Sequence, residues 1–292
     1  MSLHRFPVEE ARLVVERALD EDLDSGTDVT TVATIPAGQV SVSHVVARAD
    51  GVVAGLPVVG LVVDAVHGRL HTGTVAVEEH VADGDRVARG DRLATMRGST
   101  RTTLIAERTM LNVLSRTSGV ATHTRRWADL LEGTGATVLD TRKTTPGLRA
   151  LEKYAVRCGG GTNKRMGLYD VAMIKDNHKL AAGGLTAAFD AIRSRFPVVE
   201  VQVEVTTTEE ALEAVAAGAR FLLCDNMSPE LLRDTVAAVR GTGESVEVEA
   251  TGGLTLEVVR EYAETGVDYL SVGGLTHSSP IVDIALDLDV HA

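Results

Sequence analysis

VEVQVEVTTTEEALEAVAAGARFLLCD, residues 199–225, predicts the repeating unit of the fold. Alternating valines indicate a strand over residues 199–203, and an apolar run indicates a second strand over residues 221–223. Between them, Thr207 and Glu210 have the spacing of a capping box at a helix start, and Gly218 can end that helix. A strand, a helix and a second strand therefore follow one another within this segment.

The same unit recurs through the last half of the chain. Ser228 followed by Pro229 indicates a further helix start, and Gly266 indicates a helix end. The predicted strands cover residues 137–139, 171–174, 199–203, 221–223, 246–248 and 268–272. Strands that alternate with helices predict a parallel sheet, and convergence of the strand ends favours a (β/α) barrel over an open sheet.

The first part of the chain has a different texture. Apolar residues at helical spacing predict a helix over residues 7–23, and short β-branched runs over residues 40–95 predict a small sheet domain. Residues 81–94 resemble the hairpins of biotinyl and lipoyl carrier domains, but they lack the lysine that carries such a cofactor, so a structural hairpin is favoured. Residues 107–123 predict a helix that leaves this domain, and Trp127 to Leu131 predict a further helical turn.

Composition excludes several classes of function. The chain has 292 residues, 3% aromatics and a net charge of −12, which argues against nucleic-acid binding. The longest apolar run, residues 52–63, is interrupted by glycine and proline and is too short to span a bilayer. No signal peptide is evident, so we expect a cytoplasmic protein without a membrane partner. Cys158 and Cys224 are expected to be buried free thiols.

Positive charge is concentrated in residues 140–178. This segment holds eight basic and four acidic residues, a balance of +4 in a chain of net charge −12, which suggests a pocket for a small polyanion. Three of the cations, Arg149, Lys153 and Arg157, fit the solvent-facing side of a helix. The other five stand beside strand ends or glycine turns: Arg142, Lys143, Lys164, Arg165 and Lys175.

Polar residues or glycines also follow the carboxyl end of each later strand. Glu204 and Asp225 suit a divalent cation such as Mg²⁺ (Mg2+), although they could simply pair with lysines. Two Gly-Gly pairs, 252–253 and 273–274, match the phosphate-binding loops of barrels but are equally compatible with ordinary helix-entry turns. A lysine at a strand end is also compatible with a Schiff-base aldolase, and His277 could contact phosphate or solvent.

Several motifs in order resemble one family. They are DTRKTTPGLR (140–149), CGGGTNKRMGL (158–168), IKDNH (174–178), VEV (203–205), DN (225–226) and SVGGLTH (271–277). With Glu21-Asp22, residues 28–31 and residues 106–109, the resemblance to quinolinate phosphoribosyltransferases, the carboxylating nicotinate-nucleotide pyrophosphorylases, covers nearly the whole chain.

The resemblance implies both an architecture and a reaction. The fold would be α/β: an N-terminal α/β domain (1–110) that the tail (278–292) rejoins as a strand, and an incomplete (β/α) barrel catalytic domain (111–277). The enzyme would be a pentosyltransferase that joins quinolinate and phosphoribosyl pyrophosphate, with Mg²⁺, into nicotinate mononucleotide, pyrophosphate and CO₂ for NAD synthesis. Family members form homodimers in which the subunits share active sites.

The resemblance also assigns residues. Arg108 matches the arginine contributed across the dimer interface. The quinolinate dicarboxylate is matched by Arg142, Lys164, Arg165 and Lys175. The phosphoribosyl pyrophosphate and metal side is matched by Lys143, Glu204, Asp225, Asn226, Thr251, Gly252, Gly253, Gly273 and His277. Among these, Lys143, Glu204 and Asp225 are the catalytic candidates, and Glu204 and Asp225 the metal ligands.

Two positions depart from the family pattern. Lys164 stands where a histidine is common, and Thr251 where a serine is common. Lysine keeps a donor and a charge but cannot perform a role that needs imidazole. This departure leaves open a sister phosphoribosyltransferase that acts on another ring acid, or the paralogue associated with molybdate transport. A carrier or interaction module built on the first domain is the non-enzymatic alternative.

Overall fold

The computed structural model describes residues 5–289, and these form two compact units. Residues 1–4 and 290–292, which the sequence assigns to the first domain and its tail, lie outside the described residues. The first unit comprises residues 5–125, 144–160 and 275–289, and the second comprises residues 126–143 and 161–274.

Helices and strands alternate along most of the chain. In chain order, the helices are α1 (Val8–Leu23), α2 (Val29–Thr34), α3 (Val58–Leu70), α4 (Thr100–Leu131), α5 (Arg149–Cys158), α6 (Asp176–Ala182), α7 (Leu185–Arg195), α8 (Thr208–Ala217), α9 (Pro229–Gly241), α10 (Val259–Ala263) and α11 (Gly274–His277). The strands are β1 (Val40–Ala47), β2 (Gly51–Val52), β3 (Val75–Glu79), β4 (Arg86–Val87), β5 (Arg92–Ser99), β6 (Thr137–Leu139), β7 (Val171–Ile174), β8 (Glu200–Val205), β9 (Phe221–Asp225), β10 (Glu247–Thr251), β11 (Tyr269–Ser271) and β12 (Ile284–Asp289).

The first unit is built on an antiparallel sheet with the strand order β12-β1-β5-β3. Strand β12 comes from the tail of the chain and pairs with β1 from Val42 to Ala47, so the predicted return of the tail to the first domain is confirmed. The prediction of a structural hairpin over residues 81–94 was wrong, because β4 pairs with β2 whereas β5 pairs with β1 and β3. The core of this unit is aliphatic: Val15, Val62 and Met110 contribute to one buried cluster.

The second unit contains a parallel sheet of six strands in the order β6-β11-β10-β9-β8-β7. Its end strands, β6 and β7, do not pair with each other in the described chain, which is what an incomplete barrel requires. Valines 201, 203 and 205 of β8 are buried, and Gln202 and Glu204 alternate with them. Because side chains alternate across a strand, Gln202 and Glu204 point to the face opposite these valines. The predicted fold class is confirmed.

Local signals fixed most helix ends as predicted. The Thr207 hydroxyl accepts a hydrogen bond from Glu210 N at 3.2 Å, and Gly218 ends α8 with φ of +107°. The Ser228 side chain caps α9 in the same way, with Pro229 in its first turn. The helix predicted to start at residue 107 is longer than expected, because α4 is one helix that includes Trp127.

The prediction that α5 has a solvent-facing side made by Arg149, Lys153 and Arg157 was wrong. Lys153 is fully buried, as is its neighbour Glu152, while Arg149 and Arg157 are half-buried. Glu152 is paired with Arg116 of α4, a residue distant in sequence.

The two cysteines are free, as expected. Cys224 is buried and Cys158 is half-buried. Burial raises the pKa of each thiol to about 12, which makes both poor nucleophiles.

Within residues 5–289, no helix combines the length and the apolar character that crossing a membrane demands.

Candidate active site

Most of the residues predicted to form the site lie at the carboxyl ends of the strands of the second unit. Lys175 follows β7, Asp225 ends β9 and Thr251 ends β10. Parallel pairing places Thr251 directly opposite Asp225. The second unit therefore contains the predicted set Arg142, Lys143, Lys164, Arg165, Lys175, Glu204, Asp225, Asn226, Thr251, Gly252, Gly253 and Gly273. Arg108 and His277 belong to the first unit.

Lys175 and Glu204 form an ion pair. The ammonium lies 2.6 Å from Glu204 Oε2, and the lysine side chain is 48% exposed whereas the glutamate side chain is 11% exposed. The backbone N–H of Lys175 donates to His178 Nδ1 at 3.0 Å, which fixes the start of α6. Two residues predicted separately, one for the dicarboxylate and one for the metal, are thus in direct contact.

A nearby lysine supports this corner of the sheet. Lys179 Nζ donates to the backbone oxygen of Glu204 at 3.2 Å and to Glu210 Oε1 at 3.0 Å, and it pairs with Asp176 at 2.8 Å. Hydrogen bonds and charge from Asp176 and Glu210 raise the pKa of Lys179 although burial opposes them, so this cation stays charged. Sequence reasoning did not include Lys179, because a charged residue in the last turn of a short helix cannot be distinguished in sequence from a solvated one.

Arg142 and Arg165 bring two guanidinium groups together. Burial and the charge of Arg142 both lower the pKa of Arg165, and Arg165 Nη1 donates to the oxygen of Val171 at 3.2 Å. The Nε of Arg142 is buried and has no hydrogen-bond partner among the described residues. An unsatisfied buried donor beside a second guanidinium is suited to an anion with more than one carboxylate.

Asp140 organises the loop that carries Lys164 and Arg165. Its side chain is fully buried and accepts from Asn163 Nδ2 at 2.6 Å and from the Lys164 backbone N–H at 2.8 Å. The loop also pairs with β6 as a short parallel bridge between Leu139 and Thr162. Sequence reasoning noted Asp140 only as a polar residue after a strand; nothing in the sequence identified its partners.

Lys164 is held by a buried carboxylate. Its Nζ lies 2.6 Å from Oε1 and 2.5 Å from Oε2 of Glu249, and it stands 5.8 Å from the centre of the Phe221 ring. The Lys164 side chain is 6% exposed and the Glu249 side chain is 0% exposed. Burial lowers the pKa of the ammonium and raises that of the carboxyl, and the opposite charge of each partner counteracts the shift in the other.

Glu249 was missed because the predicted strand ended at residue 248. Strand β10 continues to Thr251, and its residues alternate, with Val248 and Ala250 buried among apolar groups. The pattern Glu-Val-Glu-Ala-Thr over residues 247–251 contains this alternation and could have placed Glu249 on the same face as Thr251. Acidic residues that alternate with buried apolar residues along a strand are the sequence signal for such a site.

The turns after β9 and β10 interlock. Asn226 N donates to the oxygen of Thr251 at 2.9 Å, and Asn226 Nδ2 donates to Asp225 Oδ2 at 2.9 Å. A Cβ atom on Gly252 would stand 2.3 Å from Asn226 Oδ1, and Gly252 has φ of +93°, so only glycine fits. The two turns therefore present exposed backbone groups next to the Asp225 carboxylate.

The two remaining predicted residues are in the first unit. Arg108 is exposed on α4, and its side chain makes no hydrogen bond or ion pair with any residue the structure describes. His277 ends α11, and its Nδ1 lies 2.6 Å from the hydroxyl of Ser278.

Comparisons with known proteins identify the family of the chain. A model described as the C-terminal domain of quinolinate phosphoribosyl transferase matches residues 120–287, and the model of the N-terminal domain matches residues 28–118. The chain is 46% identical over 278 residues to the carboxylating nicotinate-nucleotide pyrophosphorylase of Mycobacterium leprae, covering 95% of this chain and 97% of that protein. It is 40% identical to the probable enzyme of that name from Bacillus subtilis, covering 91% and 89%. The solved structure of the nicotinate-nucleotide pyrophosphorylase from Francisella tularensis superposes with a TM-score of 0.92 at 31% identity, covering 99% of both chains.

Proposed function

The chain belongs to the quinolinate phosphoribosyltransferase family, and we propose from this premise that it makes nicotinate mononucleotide from quinolinate and phosphoribosyl pyrophosphate. The pyridine nitrogen attacks C1′ of the ribose and pyrophosphate leaves. The bond from C2 to its carboxylate then breaks, CO₂ leaves, and the electron pair at C2 takes a proton. The enzyme is thus a decarboxylating pentosyltransferase of NAD synthesis.

One observation carries the assignment of substrate class. Arg142 and Arg165 are neighbouring cations, and a buried Nε of Arg142 has no acceptor among the described residues. A dicarboxylate would supply acceptors for both guanidinium groups in the bidentate geometry that arginine favours. A monocarboxylate such as nicotinate would leave part of this donor set unsatisfied.

The charge changes of the reaction match the other residues. As pyrophosphate leaves, C1′ becomes cationic, and Asp225 or Glu204 stabilises that charge directly or through the ribose hydroxyls. The turn at Gly252 and Gly253 offers backbone N–H groups to phosphate oxygens. Lys143, on the loop after β6, is the residue to which we assign the ammonium that stabilises the carbanion produced at C2 by decarboxylation.

A Mg²⁺ ion fits the donor set if substrate phosphates complete it. Asp225 and the second oxygen of Glu204 are the ligands we assign, since Glu204 Oε2 is bound by Lys175. No group of three metal-ligating side chains occurs within the described residues, and Mg²⁺ typically needs only one or two carboxylates beside phosphate oxygens. When bound, the ion would neutralise charge on the departing pyrophosphate.

The direct test is to mix the purified protein with quinolinate, phosphoribosyl pyrophosphate and Mg²⁺ and to measure nicotinate mononucleotide. We expect product from quinolinate and little or none from nicotinate. Product from nicotinate alone would instead indicate a sister phosphoribosyltransferase.

Arg165→Ala is expected to raise the KM for quinolinate by roughly 10- to 100-fold, because a charge-assisted hydrogen bond contributes about 1.5–3 kcal/mol. The KM for phosphoribosyl pyrophosphate should change less than about twofold, since Arg165 is assigned only to the dicarboxylate. Steady-state kinetics with each substrate varied in turn measures both values.

Arg220→Ala is the matched control for that variant. Arg220 immediately precedes β9, at the end of the strand opposite to Asp225, and its pair with Glu244 is solvent-exposed. Both KM values should stay near those of the parent protein. Equal weakening of both substrates by Arg165→Ala would place Arg165 elsewhere.

The subunits are proposed to form homodimers with shared sites, in which Arg108 serves the partner's site. The exposed position of Arg108, without a bonding partner in its own described chain, supports this. Mixing Arg108→Ala chains with Lys143→Ala chains should recover about a quarter of parental activity, because each mixed dimer then has one intact site. No recovery, with subunit exchange demonstrated by native mass spectrometry, would contradict the shared site.

The cytoplasmic location stays a prediction.

A further inference from the structure

The family resemblance assigns no role to Glu249, yet this carboxylate binds one of the predicted site cations, Lys164. Both of its carboxylate oxygens bind the Lys164 ammonium, and neither side chain is open to bulk water. Lys164 is also the position where the resemblance leads us to expect histidine. The carboxylate and the unusual lysine must therefore be explained together.

The ammonium is fixed at both ends of its side chain. At the backbone, Asp140 accepts from the N–H of Lys164 and from the neighbouring Asn163. At the tip, Glu249 binds Nζ, and the Phe221 ring lies beneath it. A lysine has four rotatable side-chain bonds, so without the carboxylate its charge could occupy many positions.

The surroundings of the pair are mostly cationic. Lys164 experiences the charges of Arg165 on its own loop and of Lys175 at the end of β7, and both charges lower the pKa of its ammonium. Glu249 experiences the positive charge of Lys175 and lies near the Ser271 hydroxyl of β11. Its own charge also acts on the Cys224 thiol of β9, which lies on the opposite face of the sheet. Other acids also act on these cations: Glu204 binds Lys175, and the charge of Asp170 acts on Arg165.

Burial and two neighbouring cations would each drive a lone ammonium at this position to lose its proton. Loss of that proton would change the charge presented to an anionic ring acid. A neutral imidazole carries no charge that burial and the neighbouring cations would disfavour. A lysine ammonium does, and a carboxylate beside it offsets that effect.

We propose that Glu249 is a positioning residue of the quinolinate site, which keeps the Lys164 ammonium charged and fixed in direction so that lysine can serve where histidine is common. This inference rests on the proposed function, because it takes quinolinate as the ligand. It adds a residue and a reason for the substitution at Lys164.

Glu249→Gln tests the proposal through quinolinate binding measured by calorimetry from pH 6 to pH 9. Glutamine keeps the shape and an acceptor but removes the charge, so the pKa of Lys164 falls further and its ammonium is lost as the pH rises. We expect quinolinate affinity close to that of the parent protein at pH 6 and weaker by about tenfold at pH 8.5, the size of a lost charge-assisted contact. Binding of phosphoribosyl pyrophosphate should change less than about twofold at every pH.

Two further variants separate positioning from a merely structural role. Glu249→Asp keeps the charge and should show no added pH dependence. Lys164→Arg combined with Glu249→Gln should also be independent of pH, because a guanidinium stays charged throughout this range. A structural role would lower the thermal stability of the Gln variant and weaken both ligands equally at every pH.

The charge of Lys164 can also be observed directly. The chain has five lysines, Lys143, Lys153, Lys164, Lys175 and Lys179, so ¹⁵N-lysine spectra contain few Nζ signals, and Lys164→Met identifies the one of interest. That signal should titrate at a lower pH in Glu249→Gln than in the parent protein.

Quinolinate affinity of Glu249→Gln equal to that of the parent protein at all pH values would overturn the proposal, and so would equal weakening of both substrates. A parent protein that binds quinolinate but does not convert it would overturn the proposed reaction. The comparison of quinolinate affinity between the parent protein and Glu249→Gln would still test the role of Glu249. A parent protein that does not bind quinolinate would overturn both.

Discussion

Lys143→Ala is expected to reduce kcat by roughly 10²- to 10⁴-fold, the range typical of a lost general acid or charge-stabilising group. Lys143 is exposed on the loop after β6, and its backbone N–H donates to the Thr141 hydroxyl at 3.0 Å, which helps to shape that loop. Exposure means that removing the side chain leaves no cavity, so folding should be little affected. The loss would therefore report on chemistry rather than on stability.

The expected effect falls on the step that the ammonium assists. Breaking the bond to the 2-carboxylate leaves an electron pair beside the pyridinium nitrogen, and a nearby positive charge favours that species. Rapid-quench measurements of CO₂ release, at saturating concentrations of both substrates, would detect the slower step. Lys143→Arg should recover part of kcat, because it restores charge without restoring the same geometry.

Arg233→Ala is the control for this variant, since Arg233 is an exposed cation on α9 that is assigned no role. Its kcat should stay near that of the parent protein. A Lys143→Ala protein with near-parental kcat would remove Lys143 from the catalytic set.

Arg116→Leu is expected to lower the free energy of unfolding by about 3–5 kcal/mol, the cost of leaving a buried charge without its partner. Arg116 Nη2 lies 2.7 Å from Glu152 Oε1, and the Glu152 side chain is 0% exposed. The same arginine donates to the backbone oxygens of Ser279, at 3.0 Å, and of Thr276. Without it, the donors left to Glu152 among the described residues would be the N–H and hydroxyl of Thr145, at 2.9 and 2.7 Å.

Urea unfolding of the two proteins, followed by circular dichroism, measures this difference. Arg48→Leu is the matched control, because the side chains of its pair with Asp287 are 38% and 49% exposed. That exposed pair should contribute no more than about 1 kcal/mol. The double variant Arg116→Leu/Glu152→Leu should be more stable than Arg116→Leu alone, since it removes the unpaired charge. A single variant within about 1 kcal/mol of the parent protein would contradict this description of the network.

The fold was predictable because its signals are local. Alternating valines, the Thr207 and Ser228 caps and the glycine after α8 each specify structure within a few residues, and the structure places the strands within a few residues of the prediction. The strand ends were less certain. Strand β10 runs to Thr251 because its pairing with β9 continues to Asp225, and that pairing is a property of the sheet rather than of the segment.

Burial of charge was the part that the sequence could not supply. Charged residues such as Lys153 and Glu152 resemble a solvated helix face in sequence, yet both are fully buried, and Glu152 pairs with Arg116, which is 36 positions away. The same reason hid the pairing of Glu249 with Lys164, which is 85 positions away in the chain. Long-range ion pairs leave no periodic signal, so only the folded chain identifies them.

The central claim is that phosphoribosyl transfer to quinolinate is coupled to loss of its 2-carboxylate. The measurement that tests it most directly uses quinolinate labelled in that carboxylate, with phosphoribosyl pyrophosphate and Mg²⁺, and follows three products in the same reaction. We predict labelled CO₂, pyrophosphate and nicotinate mononucleotide in equal amounts. Pyrophosphate and a nucleotide that retains the label, or transfer to nicotinate without labelled CO₂, would contradict the coupling of transfer to decarboxylation.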